Sequence, residues 1–378
     1  MINRIFPAFM GRNKYDTSGN LLKVLNDSLS VFLKDAVRVA ITRPSQAYHF
    51  FKIVRWQKRA AKTRANWEGK GVHIPPIIIY SITNRCNLNC KGCFHWALHE
   101  AGDIEMSDEK LRNTIAEARD IGVSIMVIGG GEPMMRPEII NITGEFPEVI
   151  FLVFTNGLLL DEEKLDRIQK NRNFIPVLSL EGDRAGTDFR RGEGVYTGLE
   201  KIIGKLKKRN IFWSVSLTLT RLNYDTIMDD EFVANLVEQG CKLMFFVEYT
   251  PITKGTEDWL ISDEQRKNLI IKRDEFRKKH PALFIAVPGD EEEIGGCLSA
   301  GRGFIHINPL GDVEPCPFAP YSDTNLRDAS LIEALQSDFL KEIRDNHDHL
   351  SETEGGCALW VERKWVQSVF QETKTRIS

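Results

Sequence analysis

The stretch Ile77-Ile78-Ile79-Tyr80-Ser81-Ile82-Thr83-Asn84-Arg85-Cys86-Asn87-Leu88-Asn89-Cys90-Lys91-Gly92-Cys93-Phe94 decides the reading of this chain. Its first part is an apolar, β-branched run of the kind that forms a buried strand. Its second part sets Cys86, Cys90 and Cys93 at C-x3-C-x2-C spacing on one short loop. Three thiolates so placed can converge on one metal centre and leave a coordination position open. An iron–sulfur cluster normally takes four cysteine ligands, so a cluster held by three keeps an iron that can bind something other than protein.

Two other readings of the loop carry less. Zinc sites usually add a second pair of Cys or His further along the chain. His95 and His99 lie close enough to complete a Cys3His zinc site. A disulfide framework is disfavoured, because seven cysteines in 378 residues are sparse and odd in number. No apolar leader with a small-residue cleavage site opens the sequence. Reduced thiols in a cytoplasmic setting are therefore expected, used for metal ligation or catalysis.

The rest of the chain tests the idea independently. Ser107 opens a helical stretch to about Asp120, and residues 124–128 read as a strand ending in Gly129-Gly130-Gly131-Glu132-Pro133. A second apolar run, 149–154, ends in Thr155-Asn156-Gly157. Helical and strand patterns then alternate: helix 161–170, strand 174–180, helix 197–209, strand 212–220, helix 230–239 and strand 242–247. Six strands alternating with helices predict an α/β fold, a parallel sheet or partial barrel. Functional loops in such folds gather at the C-terminal ends of the strands, where the cysteine loop and both turns would fall.

The glycine turn is a poor phosphate cradle. The G-x-G-x-x-G spacing is absent, Glu132 adds negative charge and Pro133 lacks an N–H donor. Exposed carbonyls beside a carboxylate suit a cation; the bland reading is a tight turn that needs glycine for backbone geometry alone.

Together these motifs resemble the radical S-adenosylmethionine (radical SAM) superfamily. The resemblance implies a partial (β/α)6 barrel over residues 76–285, with a [4Fe-4S] cluster held by Cys86, Cys90 and Cys93. It implies that the open iron binds S-adenosylmethionine, which is cleaved reductively to a 5'-deoxyadenosyl radical that takes hydrogen from substrate. It also implies an electron donor such as ferredoxin or flavodoxin. Gly130, Gly131, Glu132 and Pro133 match the family's Gly-Gly-Glu-Pro motif, associated with the cofactor's ammonium group. Asn156, Glu181 and Ser216 are further candidates for contact with the cofactor. Glu181 stands where related enzymes often carry Ser-Leu-Asp-Gly, and Ser216 shares its strand with Thr218. Arg190 and Arg191, in Asp188-Phe189-Arg190-Arg191-Gly192, are weaker candidates, since loop arginines are usually solvated. One departure is Gly92, where an aromatic residue often precedes the third cysteine.

A second cysteine set lies in the C-terminal third: Cys297, Cys316 and Cys357. Cys297 and Cys316 sit in Gly- and Pro-rich, turn-like sequence, which argues against three unconnected core thiols. The set resembles a truncated SPASM extension, or twitch domain, over residues 286–378, and so implies an auxiliary iron–sulfur cluster with one ligand unassigned. Cys241, at a helix–strand junction, reads as structural.

Residues 1–75 form a helical N-terminal extension. Leu29, Phe32, Leu33, Ala36, Val37 and Ala40 recur at helical spacing over 28–42, and a second helix runs from Ser45 to about Trp67. That second helix mixes aromatic and basic residues, which suits peripheral contact with an anionic membrane; packing on the barrel is the competing reading. No run approaches the roughly 18 apolar residues needed to span a bilayer. A net charge of −3 argues against nucleic acid as a partner. No D-x-H-x-x-G element occurs, which disfavours cobalamin chemistry. The substrate stays open among peptides, tetrapyrrole or cofactor precursors, and lipids. A non-catalytic iron–sulfur or zinc protein is the rival class, and it would need neither the glycine turn nor the six-strand framework.

Overall fold

Nine strands form one sheet in a computed structural model of the chain, which describes residues 44–98, 104–294, 296–350 and 356–377. They are β1 (Ile77–Ser81), β2 (Ile125–Gly129), β3 (Ile150–Thr155), β4 (Phe174–Leu180), β5 (Trp213–Leu219), β6 (Cys241–Glu248), β7 (Leu283–Val287), β8 (Phe304–Ile307) and β9 (Val313–Glu314). The order is β7-β6-β5-β4-β3-β2-β1-β8-β9. All pairs are parallel except β8 with β9.

The six strands expected from sequence are β1 to β6. Of the other three, β8 and β9 come from the C-terminal region and extend the sheet beyond β1. Apolar residues on both faces of the strands explain why: a parallel sheet is covered on both sides, so its strands read as continuous Ile/Val/Leu runs. The face turned toward the surrounding helices is tightly packed, with Ile78, Met126, Phe151, Val153 and Phe246 fully buried. Each such side chain contributes about 1.5–3 kcal/mol by leaving water.

Local signals set the helices between the strands. Ser107 caps the Asp108–Ile121 helix by accepting from the Lys110 N–H, and Gly122 closes it in the left-handed region at φ 104°. Asp161 and Asp183 likewise cap Glu162–Lys170 and Arg184–Arg191. The last helix carries the two arginines that the sequence places on a loop; its Asp183 cap supplies the start signal. All connections after β1 to β5 leave from the same end of the sheet, here called the upper end.

The Pro44–Glu68 helix packs at the lower end. Ile53 is buried, Gln57 Nε2 donates to the Ser124 carbonyl at 3.1 Å, and fully buried Arg64 donates to the Gly122 carbonyl. The expected helix over 28–42 lies outside the described residues. Among the described residues no helix is long and apolar enough to cross a membrane.

Candidate active site

The cysteine loop leaves the upper end of β1 and is clamped to the glycine turn that follows β2. Ile82 N donates to Gly129 O (3.0 Å), Gly131 N to Thr83 O (2.7 Å) and Glu132 N to Arg85 O (2.8 Å). A Cβ on Gly131 would lie 2.2 Å from the Arg85 carbonyl oxygen, and one on Gly130 would lie 2.4 Å from that of Thr83. The glycines are thus demanded by close approach of the two loops.

Glu132 is buried and fastens the turn to the end of β3. Its carboxylate accepts from Met134 N (2.9 Å), Thr155 Oγ1 (2.6 Å) and Asn156 N (2.7 Å). Burial raises its pKa, and those three donors oppose the shift. Pro133 opens the short turn Pro133–Met135 that supports it. Asn156 Nδ2 donates to Asn87 Oδ1 at 2.8 Å and so reaches back to the cysteine loop. The carboxylate expected beside a cation thus also holds the turn, and it lines the same cavity as Gly130 and Gly131.

Cys86, Cys90 and Cys93 are half-buried and line a cavity of about 850 Å³ inside the sheet, together with Gly130, Gly131 and Asn156. Burial pushes the Cys86 thiol up to about 11. It raises Cys90 as well, against the opposing pull of Arg191 and Arg190. Gly92 has φ 63°, and a Cβ there would sit 2.4 Å from Tyr249 Oη and 3.1 Å from the Trp259 ring. The aromatic shielding missing from position 92 is supplied from across the cavity mouth. Phe94 also meets Phe318 edge-on at 5.1 Å.

The two arginines are not solvated. Both side chains are 11 % exposed and converge on Glu181 Oε1: Arg190 Nη1 at 2.6 Å and Arg191 Nη2 at 2.6 Å. Both line the cavity. Glu181 itself is 1 % exposed, so it anchors the guanidinium groups. Two cations against one carboxylate leave a net positive face beside Cys90, which suits an anionic group. Ser216 lies opposite Ser179 in the β4–β5 register, and both line the same cavity.

Cys297, Cys316 and Cys357 also line it. Ala300 N donates to Pro315 O at 3.0 Å, which joins the loops carrying the first two, and Cys357 precedes the Ala358–Val361 helix. Burial pushes Cys297 up to about 12 and raises Cys316 and Cys357, with the other thiols of the set adding to the shifts of Cys316 and Cys357. The Glu291 charge also acts on all three. Sequence reading missed this carboxylate, although the acidic run 290–293 just before Gly296-Cys297 was the available signal.

A buried chain runs between the sets. Ser81 Oγ meets His306 Nε2 at 2.8 Å, and His306 Nδ1 meets Glu314 Oε2 at 2.6 Å. Nothing in the sequence links these three residues; the β1–β8 and β8–β9 pairings do. His95 is buried with Nε2 on the Asn84 carbonyl at 3.1 Å, an engagement that competes with zinc ligation, and His99 lies outside the described residues. Among the described residues no three His, Cys, Asp or Glu side chains gather tightly enough to share a single metal ion.

An open, mostly parallel α/β barrel with a three-cysteine loop at the upper end of β1 and a clamped glycine turn beside it defines the class of enzyme that works through an open-sited iron–sulfur cluster. Residues 80–234 match the family model of the radical SAM superfamily, so the chain carries a radical SAM domain there. Among its relatives is the AdoMet-dependent heme synthase of Methanosarcina barkeri, 23% identical over 319 residues that cover 77% of this chain and 89% of that one. Mycofactocin maturase MftC of Mycolicibacterium smegmatis is 25% identical over 316 residues, 76% of this chain and 79% of that one. The fold is shared with Streptococcus suis SuiB bound to S-adenosylmethionine, with a TM-score of 0.62 at 19% identity over 79% of this chain and 73% of that one. Its cofactors are a [4Fe-4S] cluster and S-adenosylmethionine.

Proposed function

We propose that Cys86, Cys90 and Cys93 hold the [4Fe-4S] cluster that binds S-adenosylmethionine, and that Cys297, Cys316 and Cys357 hold an auxiliary cluster in the same cavity. The observation that carries this reading is the meeting of both cysteine sets, the glycine turn and the arginine pair on one cavity. Thiols in each set act electrostatically on one another, as ligands that face a shared group do.

The chain's own residues divide the work. Gly130 and Gly131 present carbonyls to the cofactor's ammonium group, while Glu132, Pro133 and Asn156 fix the turn that carries them. Arg190 and Arg191, held by Glu181, face its carboxylate, and Ser216 offers a hydroxyl from the barrel wall. Tyr249, Trp259 and Phe318 exclude water above the loop. When bound, the cluster and S-adenosylmethionine supply a radical that removes a hydrogen atom from substrate. The second set stands where an electron or a substrate atom could be taken up. A low-potential donor such as ferredoxin or flavodoxin would reduce the enzyme in the cytoplasm.

Anaerobic reconstitution followed by reductant and S-adenosylmethionine tests the proposal. Formation of 5'-deoxyadenosine is expected; its absence with the iron loaded would sink the reading. About eight irons per chain support two clusters, and about four remove the auxiliary one.

A further inference from the structure

The inner wall of the barrel is apolar and its side chains are less completely buried than those of the outer wall. Leu152 and Phe245 point inward and keep 8 % of their surface, while their strand neighbours Phe151 and Phe246, turned outward, keep none. Ile125, Ile150 and Leu283 on the same wall keep 5–9 %. All of them line the cavity that also holds the cysteines, so that cavity continues below the cluster loops to the lower end of the strands. A strand of five residues is about 17 Å long, which sets the depth of the tube.

Polarity along the tube is graded. Hydroxyls and amides (Ser81, Asn156, Ser179, Ser216, Thr218) line its upper end, and the lower wall is Ile, Leu, Val and Phe. S-adenosylmethionine, a charged molecule, belongs at the top. Apolar surface left open inside a protein forfeits both dispersion contacts and about 25 cal/mol per Å² of burial, so the complementary occupant of the lower tube is aliphatic.

The lower rim changes character again. Gln169, Arg172, Arg209 and Asn210 line it, although Arg209 is already paired with Glu162 and Asp166. The Pro44–Glu68 helix lies at this end with Ile53 turned into the cavity. Its outer face exposes Lys52, Arg55, Lys58, Arg59 and Lys62, and no acidic residue occurs in the helix before Glu68. A basic face over the end of an apolar tube is complementary to an anionic amphiphile in a bilayer.

We infer that the substrate is a membrane lipid with an anionic head group, whose aliphatic chain enters the lower barrel while the head stays at the basic rim. This deepens the radical reading by naming its substrate class and rests on it, but chain binding itself needs no cluster. Two arms test it on the full chain with clusters reconstituted. In solution, cis-parinaric acid should gain fluorescence on binding and be displaced by palmitate, and Leu152→Trp should weaken it at least about tenfold by filling the tube. Ile79→Phe, a smaller obstruction on β1, is the second variant should Leu152→Trp not fold. On vesicles of equal parts phosphatidylglycerol and phosphatidylcholine, the chain should co-sediment, and Arg55→Glu with Arg59→Glu should release it. Failure to bind parinarate, equal binding by correctly folded Leu152→Trp and Ile79→Phe, or displacement by a coproporphyrin but not by palmitate overturns the inference. Vesicle binding without chain uptake overturns it too, since the surface would then dock without feeding the barrel. Iron content and 5'-deoxyadenosine from the same preparation report separately on the cluster reading.

Discussion

The two cysteine sets face one cavity but are built in opposite ways. Cys86, Cys90 and Cys93 occupy one eight-residue loop, half-buried, with two arginines acting on Cys90. Cys297, Cys316 and Cys357 come from three segments; the first two are buried, and the Glu291 carboxylate acts on all three. The first site is a local motif that needs the fold only to place it. The second exists because β8, β9 and the C-terminal helices bring distant segments together. An electropositive, partly open loop suits binding of a charged cofactor, and a buried, electronegative set suits holding a group away from solvent.

That contrast can be broken most decisively at the thiols. Replacing Cys86, Cys90 or Cys93 with Ala should remove about four irons and abolish 5'-deoxyadenosine formation. Cys316→Ala should remove a similar number yet leave cofactor cleavage intact, as read by iron analysis and chromatography of the nucleoside. A smaller effect is expected at the ion cluster beside the first set. Glu181→Gln leaves two buried guanidinium groups without their counter-charge and should destabilise the fold by about 3 kcal/mol in urea titrations. It should also weaken S-adenosylmethionine binding while sparing iron at the second set.

Gly131→Ala comes next. Its Cβ would press 2.2 Å from the Arg85 carbonyl, so the cysteine loop must shift. A loss of about 2 kcal/mol and reduced iron at the first set are expected, with the second set filled normally. The smallest change in stability is expected for Ser81→Ala, which removes one partner of His306 and should cost about 1 kcal/mol in urea titrations.

Legibility in the sequence follows the same division. The six alternating strands, the cysteine loop and the glycine turn were readable because each is specified by residues close along the chain: β-branched runs, Ser107 and Asp161 caps, and glycine at a close approach. The roles within the site were less readable. Glu132 looks like a cation partner in sequence; that it also accepts from three donors depends on the fold. Arg190 and Arg191 look solvated until Glu181, nine and ten residues earlier, is placed against them by the Asp183-capped helix. Glu291 had a local signal in the acidic run before Cys297, whereas the Ser81–His306 link depends on strand pairing across more than two hundred residues, which no local pattern encodes. The Pro44–Glu68 helix was legible as a helix, whereas its packing needed Gln57 and Arg64 to be seen on the Ser124 and Gly122 carbonyls.

The most direct measurement is electron paramagnetic resonance of the reduced, reconstituted protein before and after addition of S-adenosylmethionine, on the wild type, Cys90→Ala and Cys316→Ala. Binding at the first set predicts that the cofactor changes the cluster signal in the wild type and in Cys316→Ala, and changes nothing in Cys90→Ala. A signal that responds to S-adenosylmethionine in Cys90→Ala but not in Cys316→Ala would contradict the assignment of the two sites.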